Sequence, residues 1–252
     1  MDMRTGVFAR SINLIALDIS DVCLKGERCN GLQVLPTAYH LLETLTVRLF
    51  DAGDYVVTPV FPFFKSSALK SLTIKPDDTL PKSGPWAYFS HFMTFVQRSS
   101  FSLTTLFIES LNLPDSSMVH LLAHVSTLLD FTLIDTNVPP EESPITEGLI
   151  ESLHAYRYRK SSPLNGPLLP RLRSLKLTYD GVVFNDQAVV DMIKSRWTSD
   201  FISGQEVDCL RSFTMTYRRR KKVLDAYNVL DNIERDGMRL VILWKDDLAR
   251  KK

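Results

Sequence analysis

Leucine and other apolar residues recur along the chain at the spacing Leu-x-x-Leu-x-Leu, with polar residues between them. The clearest copy runs from Leu172 to Leu177, and Leu210–Met215 repeats it with bulkier apolar residues. Alternation with a period of two is typical of a strand that buries one face. A single strand of this kind cannot bury its apolar face alone. The copies therefore predict strands stacked side by side around a shared core.

Further copies of the pattern lie on both sides of these two: Leu14–Ile19, Leu42–Val47, Leu69–Ile74, Leu103–Ile108, Leu128–Leu133 and Ile150–Ala155. Of these, Ile150–Ala155 is the weakest match and also fits a helix. A last apolar segment, Met238–Trp244, predicts a ninth strand. The first three copies begin 28 and 27 residues apart, within the range of about 20–29 residues that leucine-rich repeats show.

The segments between these strands predict helices. Each has apolar residues at helical spacing: Trp86–Val96, Met118–Val125, Val189–Trp197 and Val223–Ile233. Asp115 is a candidate cap for the second of them, and Asn185 or Asp186 for the third. The pattern therefore predicts an α/β leucine-rich-repeat solenoid, with a curved parallel sheet on the concave side and helices on the convex side. We expect residues 1–252 to form a single irregular domain of this kind.

Four segments together resemble a known family: Leu168–Tyr179, Asp186–Trp197, Leu210–Phe213 and Gly237–Ile242. They are similar to the leucine-rich-repeat region of the F-box-like proteins of mushroom-forming fungi (basidiomycetes). The resemblance implies repeats that select substrates for a ubiquitin ligase, while an amino-terminal F-box binds the ligase adaptor. No Leu-Pro-x-Glu pattern of an F-box precedes Leu14. A ligase adaptor is therefore expected as a partner only if an F-box lies upstream.

Composition and charge narrow the function classes. Hydrophobic residues make up 44% of the chain, charged residues 23%, and the net charge is +1. This balance favours neither nucleic acid nor an acidic membrane as a partner. No apolar run approaches the about 20 residues of a membrane span, so we expect a cytoplasmic or nuclear protein. The run Arg218–Lys222 is either a nuclear-import signal or a solvated loop.

Little in the sequence indicates catalysis or a cofactor. Cys23, Cys29 and Cys209 are too sparse for a disulfide framework or a zinc site. His120 and His124 share a helical face, but no third ligand lies near them. Neither a glycine-rich phosphate loop nor a Gly-x-Ser-x-Gly elbow occurs. We therefore expect a protein that is not an enzyme, with no catalytic, metal-binding or cofactor-binding residues.

The concave face is the predicted binding surface, because the polar residues between the apolar positions point to it. Its candidate residues are Arg48, Lys75, Phe107, Glu109, Asp130, Tyr156, Lys176, Thr178, Thr214 and Thr216. Tyr179 and Tyr217 are further candidates for aromatic contacts.

The leading hypothesis is a non-enzymatic protein–protein recognition scaffold, acting as the substrate-binding part of an F-box-type ubiquitin-ligase receptor. The expected partner is a protein or a ubiquitin-ligase substrate. The alternative is an α/β hydrolase-like or transferase-like enzyme with an open parallel sheet, which a polar pocket at the strand ends would favour. A third hypothesis is a truncated, poorly folding relic, which solvent-exposed Leu14, Leu17 and Ile19 would indicate.

Overall fold

The structure is a computed structural model. It describes residues 14–20, 22–24, 37–49, 56–58, 61, 64–76, 86, 88–136, 138–139, 142–157, 166–198, 200–202, 204–222 and 226–249. The chain falls into two units, Met1–Phe107 (unit 1) and Ile108–Lys252 (unit 2). The fold is α/β, and eight parallel strands lie in the described residues. The α/β class predicted from the repeat pattern is thereby confirmed, and the solenoid stays a prediction.

The described residues of unit 1 form short strands and one α-helix. Its elements are β1 (Ala16–Ser20), β2 (Val22–Leu24), β3 (Thr37–Ala38), β4 (Thr44–Leu49), β5 (Val56–Thr58), β6 (Phe64–Lys65), β7 (Ser71–Pro76) and α1 (Phe89–Ser99). The strands β1, β4 and β7 are parallel neighbours, in the order in which they occur in the chain. Their register aligns Leu17 with Leu45 and Leu45 with Leu72. The predicted repeat positions therefore coincide across these strands.

The core of unit 1 combines strand leucines with a cluster of aromatic rings. Leu45 and Leu72 are buried on the strands, and Phe61 and Phe92 pack with their ring centroids 4.9 Å apart. Arg98, near the end of α1, donates a hydrogen bond of 2.9 Å to the carbonyl oxygen of Phe61. Helix α1 is therefore fixed to the preceding segment by packing and by a charged donor.

The strand β8 (Thr105–Glu109) contains the point at which the chain divides into units. On its unit 1 side, the backbone N–H groups of Thr104 and Thr105 donate to the carbonyl oxygen of Lys70, at 2.9 and 3.0 Å. The strands β4 and β10 begin in the same way. Two successive backbone N–H groups donate to one carbonyl oxygen, that of Ile15 for β4 and that of Leu129 for β10. The strands β4, β8 and β10 thus begin with the same backbone contact.

Unit 2 alternates parallel strands with helices. Its elements are α2 (Asp115–Ala123), β9 (Asp130–Asp135), α3 (Glu147–Ser152), β10 (Ser174–Tyr179), α4 (Asp186–Ser195), β11 (Asp200–Ile202), β12 (Gln205–Val207), β13 (Ser212–Tyr217), a 3-10 turn (Asn228–Leu230), α5 (Asp231–Arg235), β14 (Arg239–Leu243) and α6 (Lys245–Ala249). The strands β9, β10, β13 and β14 are parallel neighbours in chain order. The strands β11 and β12 form a separate antiparallel pair.

The first leucine of each predicted copy lies before its strand rather than in it. Leu172, for example, is fully buried, but its N–H donates to the carbonyl oxygen of Leu169 in a turn, and β10 begins at Ser174. The leucine pattern of this copy therefore marks core positions, but the strand begins two residues later than predicted. The same displacement holds at β4, β7, β8, β9 and β13.

Three local predictions were wrong. Ile150–Ala155 is not a strand, because its first residues belong to α3, which agrees with the helical alternative. The predicted helix Val223–Ile233 is instead the 3-10 turn and the short helix α5, and its residues 223–225 lie outside the described chain. Asp115 does not cap α2 but is its first residue, and its carboxylate accepts a hydrogen bond of 2.6 Å from Thr146. Asn185, by contrast, caps α4 as predicted.

One arginine organises the core of unit 2. Arg196 is fully buried directly after α4, and its guanidinium donates to the carbonyl oxygens of Leu153, Leu168 and Leu169. Burial lowers the pKa of Arg196 to about 10. Leu169 has a positive φ of 49°, which costs an L-residue about 1–2 kcal/mol. The hydrogen bonds to Arg196 therefore hold a strained turn just before β10.

Candidate functional site

The parallel strands of unit 2 expose one polar face, which we call the unit 2 polar face. The strand register arranges its residues in three rows across the strands. The rows are Asp130, Ser174, Ser212 and Arg239; then Thr132, Lys176, Thr214 and Val241; then Ile134, Thr178, Thr216 and Leu243. The predicted alternation of polar and apolar positions therefore brings these side chains together on one side of the strands.

The opposite face of the same strands is the core. Phe131, Leu133, Leu175, Leu177, Phe213 and Met215 are almost completely buried. Helix α4 adds Val189, Val190 and Ile193, also buried. Parallel sheets are usually covered on both faces. On the unit 2 polar face, however, Asp130, Lys176 and Arg239 are exposed. This face is therefore accessible to a partner.

Unit 1 has a polar face of the same kind, on which Arg48 is paired with Asp18. Arg48 donates from Nε and Nη2 to the two carboxylate oxygens of Asp18, at 3.0 and 2.7 Å. The hydrogen bonds from Arg48 lower the pKa of Asp18, and Lys75 contributes a further favourable charge. Arg48 and Lys75 are register neighbours on β4 and β7. The two predicted residues thus lie together, and Asp18 pairs with Arg48.

Other predicted binding residues lie elsewhere or are less exposed than expected. Thr178 and Thr216 lie on the unit 2 polar face, but only 8% of each residue is accessible. Tyr156 lies on no strand: it follows α3 and donates a hydrogen bond of 2.7 Å to Asp200. Tyr179 and Tyr217 are buried, because each lies on the same side of its strand as the buried apolar residues. The prediction of these two tyrosines as exposed contacts was wrong.

Two further predicted residues lie on β8. Phe107 belongs to unit 1 and Glu109 to unit 2, and both are half-buried. Glu109 ends the strand and forms no ion pair within the described chain. Leu106 and Ile108 are buried, so Phe107 and Glu109 alternate with core residues along β8, as the pattern predicts.

Two carboxylates lie at the carboxyl ends of β9 and β10. Asp135 is 1% accessible; the Ser143 hydroxyl donates to its Oδ2, while its Oδ1 is buried without a hydrogen-bond partner. The pKa of Asp135 is raised to about 6: burial raises it most, the Ser143 hydrogen bond opposes this, and the charge of Asp180 adds to the rise. Asp180 is 4% accessible and pairs with Arg219 at 2.9 Å and with Arg218 at 3.5 Å.

A second carboxylate, that of the half-buried Asp186, binds the basic run. Arg220 donates two hydrogen bonds, of 2.9 and 2.8 Å, to Asp186 at the start of α4. Tyr217 and Tyr227 donate to the same carboxylate, at 3.0 and 2.9 Å. Burial alone would raise the pKa of Asp186, but these hydrogen bonds, Arg220 first, bring it below its usual value. The Arg220 guanidinium also lies 4.5 Å from the centre of the Tyr217 ring and 5.6 Å from that of Trp244.

These pairings change the picture of Arg218–Lys222. The sequence shows five consecutive cations, but Arg220 is buried, and Arg218 and Arg219 are paired with Asp180. Lys221 and Lys222 are exposed and form no ion pair within the described chain. Three residues of the run therefore form ion pairs that connect the segment after β13 to the segment after β10.

The structure describes a groove of about 310 Å³ in unit 2, away from the carboxyl ends of the strands. Its lining residues precede β9, β10 and β13: Ser126, Thr127, Pro170, Arg171, Gln205, Glu206 and Asp208. Asp208 is already paired with Arg173 at 2.9 Å. Sites of α/β enzymes lie at the opposite, carboxyl ends of the strands, so the position of this groove does not match that pattern.

Candidate metal ligands do not assemble in the described residues. No group of three or more His, Cys, Asp or Glu side chains is placed there to hold a metal ion. His120 and His124 contact each other edge to face, with ring centroids 4.8 Å apart. The thiol of Cys209 is free, and burial raises its pKa. The Cys23 side chain and Cys29 lie outside the described part. Among the described helices, none has both the length and the apolarity needed to cross a bilayer.

The sequence contained signals for several residues that the prediction missed. Asp135 and Asp180 occupy the last position of β9 and the first position after β10. An acidic residue at two successive strand ends is visible in the repeat pattern. Arg239 follows from the alternation of the last strand, where it takes the same position as Ser212. The buried pairing of Asp186 with Arg220 leaves no comparable pattern in the sequence.

No protein-family model matches the chain, and no curated protein shows significant similarity to it. The fold and its polar face define an α/β protein with parallel strands that carry an accessible polar surface in unit 2. The resemblance to the leucine-rich region of F-box-like proteins stays a prediction from the sequence.

Proposed function

We propose that this protein is a non-enzymatic recognition scaffold of the leucine-rich-repeat type, and that the unit 2 polar face binds a protein partner. A single observation carries the proposal: the parallel strands of unit 2 bury one face in the core and leave the other accessible. A polar face kept accessible on parallel strands has no role in the core, so contact with another molecule is its most direct use.

The chemistry of the face supports protein recognition. Its central positions carry short hydroxyl side chains, among them Ser174, Ser212 and Thr214, which are half-buried. Hydroxyls both donate and accept hydrogen bonds, and their small size allows a partner to approach the strands. Lys176 stands between Thr132 and Thr214 in the second row. The face is therefore suited to polar contacts around a central charge.

The repeat geometry supports the solenoid. In unit 1 the strands β1, β4 and β7 follow one another in chain order, and in unit 2 β9, β10, β13 and β14 do the same. Chain-order parallel neighbours are what stacked repeats produce. On this basis, and on the sequence resemblance, we propose a role as the substrate-binding part of an F-box-type ubiquitin-ligase receptor in the cytoplasm or nucleus.

The binding role is tested by adding bulk and charge to the middle of the face. Thr214→Arg should abolish co-purification of partners that the unchanged protein retains, with an unchanged circular dichroism spectrum. Thr198→Arg is the matched control, because Thr198 is exposed after α4, on no strand. If both variants retain the same partners, the unit 2 polar face is not the binding surface.

The ligase role has its own test. Purified ligase adaptor should bind the protein, and the Thr214→Arg variant should bind it equally well. If Thr214→Arg loses substrate binding but still binds the adaptor, the result supports a receptor role. Absence of adaptor binding leaves the scaffold without ligase coupling.

One observation favours the enzymatic alternative, an α/β hydrolase-like or transferase-like protein. Asp135 and Asp180 lie at the carboxyl ends of neighbouring strands, where α/β enzymes place their catalytic groups, and the pKa of Asp135 is raised to about 6. Hydrolysis of generic ester and phosphate substrates that disappears in Asp135→Asn would support this alternative. Residual activity equal to that of the unchanged protein would indicate a contaminant.

A further inference from the structure

The first row of the unit 2 polar face has opposite charges at its two ends. Asp130 begins β9 and Arg239 begins β14, and the strand register places them in one row with Ser174 and Ser212 between them. Both charged side chains are exposed. Neither forms an ion pair or a side-chain hydrogen bond within the described chain. We call these four residues the Asp130–Arg239 row.

Within the described chain, Lys176 in the next row also forms no ion pair, but the Asp130–Arg239 row differs in this respect from several arginines. Arg173, Arg218, Arg219 and Arg220 are each paired with a carboxylate. On the polar face of unit 1, Arg48 is likewise paired with Asp18. Asp130 and Arg239 are held apart by the two intervening strands, so they cannot neutralise each other. The row therefore presents a separated negative and positive charge to whatever binds the face.

The length of the row follows from strand spacing. Asp130 and Arg239 are three strand steps apart, and at about 4.8 Å per step their positions are separated by about 14 Å. An extended segment that rises about 3.3 Å per residue covers this distance in about four residues. A helix with a rise of 1.5 Å per residue would need about nine.

The middle of the row favours an extended segment. Ser174 and Ser212 offer hydroxyl groups, which recognise unpaired backbone N–H and C=O groups. An extended peptide has such groups available along its whole length, whereas the backbone of a helix is already hydrogen-bonded to itself. The two serines therefore complement an extended backbone between the two charged ends.

We infer that the partner segment is an extended peptide that crosses the strands and carries a basic and an acidic residue about four positions apart. The basic residue lies against Asp130 and the acidic residue against Arg239. This inference rests on the proposed function, because it names the chemistry of the partner at the same face.

The inference is tested with a random twelve-residue peptide library displayed on phage and selected on the purified protein. Enriched peptides should carry oppositely charged residues four positions apart. As synthetic peptides, they should bind Asp130→Lys or Arg239→Glu about tenfold more weakly, because one contact becomes a like-charge pair. The double variant Asp130→Lys/Arg239→Glu should restore binding, with the peptide reversed in direction. Asp236→Lys and Arg235→Glu, at exposed positions of the α5 region, should change the affinity less than about twofold.

The outcomes separate the inference from the proposed function. Enriched peptides that lose binding in Thr214→Arg but ignore both charge reversals would overturn the inference and retain the binding face. Enrichment of helical peptides with charges about nine positions apart would also overturn the inference and retain the binding face. If no selected peptide binds the Thr214→Arg variant more weakly, both the inference and the proposed binding face are overturned.

Discussion

Arg220 is buried against Asp186, with two hydrogen bonds of 2.9 and 2.8 Å between the guanidinium and the carboxylate. The pair joins the segment after β13 to the first residue of α4. Two tyrosine hydroxyls, from Tyr217 and Tyr227, complete the environment of the carboxylate. A buried charge whose partner is removed is left uncompensated in a medium that solvates it poorly.

Asp186→Ala should therefore destabilise unit 2 by about 3–5 kcal/mol, the usual cost of breaking a buried pair from one side. The free energy of unfolding in urea, followed by tyrosine and tryptophan fluorescence, measures the effect. Asp236→Ala removes an exposed carboxylate and should cost less than about 0.5 kcal/mol. Equal stability of the two variants would show that the Arg220 pair contributes nothing. Because hydrogen bonds lower the pKa of Asp186, its stabilisation is present above the usual carboxylate pKa and is lost only in stronger acid.

Asp135 has the opposite pH dependence. Its pKa rises from 3.8 to about 6 in the folded protein, so the folded state holds a proton that the unfolded state has already released. Stability should decrease as the pH rises from about 4 to about 6, by at most about 3 kcal/mol. Urea unfolding at pH 4.5 and pH 7.5 measures this change.

The Asp135→Asn variant isolates that effect, because its side chain has nearly the same shape and cannot ionise. Its stability should differ between the two pH values by about 2 kcal/mol less than that of the unchanged protein. Asp186 does not contribute in this window, since its pKa lies below the usual value. The same pH dependence in both proteins would show that Asp135 does not titrate there.

Arg196 should be indispensable for the turn before β10. Arg196→Leu leaves three buried carbonyl oxygens without donors and should cost about 3 kcal/mol, at about 1 kcal/mol for each lost hydrogen bond. Arg196→Lys, which can donate to fewer acceptors, should have a stability between that of Arg196→Leu and that of the unchanged protein. Arg211→Leu, at an exposed position, is the control, and thermal unfolding measures all three. A loss no larger than in Arg211→Leu would contradict the anchoring role.

The ion pair between Arg48 and Asp18 should contribute little. Both side chains are well exposed, at 36% and 52%, and exposed pairs are worth about 0.2–1 kcal/mol. A double-mutant cycle with Arg48→Ala and Asp18→Ala should give a coupling energy in that range. The coupling should shrink in 1 M salt, because ions screen exposed charges. A coupling above about 2 kcal/mol would require a solvent-excluded pair.

The sequence predicted the main parallel strands well because each copy of the apolar pattern carries its own signal. Leucines at fixed spacing mark a buried face, and the register of β10 with β13 aligns Leu175 with Phe213 as the pattern requires. The start of each strand was placed two residues early, because the first leucine of a copy packs in the core from the turn. Hydrophobic spacing alone does not distinguish a buried turn residue from a buried strand residue.

The candidate site was predictable only in outline. Alternation assigned Lys176 and Thr214 to the polar face, and the structure places them side by side. It did not reveal that Thr178 and Thr216 are nearly buried, because burial of a small side chain depends on its neighbours across the strands. Pairings such as Arg220 with Asp186 join residues 34 positions apart, and no local pattern encodes them.

Arg196 donates to the carbonyl oxygens of two segments of the chain. One contains Leu168 and Leu169, 28 and 27 residues before Arg196, and the other contains Leu153, 43 residues before it. Because one guanidinium serves them all, neither segment can open without releasing the end of α4 as well. Amide protons around Leu153, Leu169 and Arg196 should therefore exchange with solvent through one shared opening event. A single side chain thus makes distant parts of unit 2 fluctuate together.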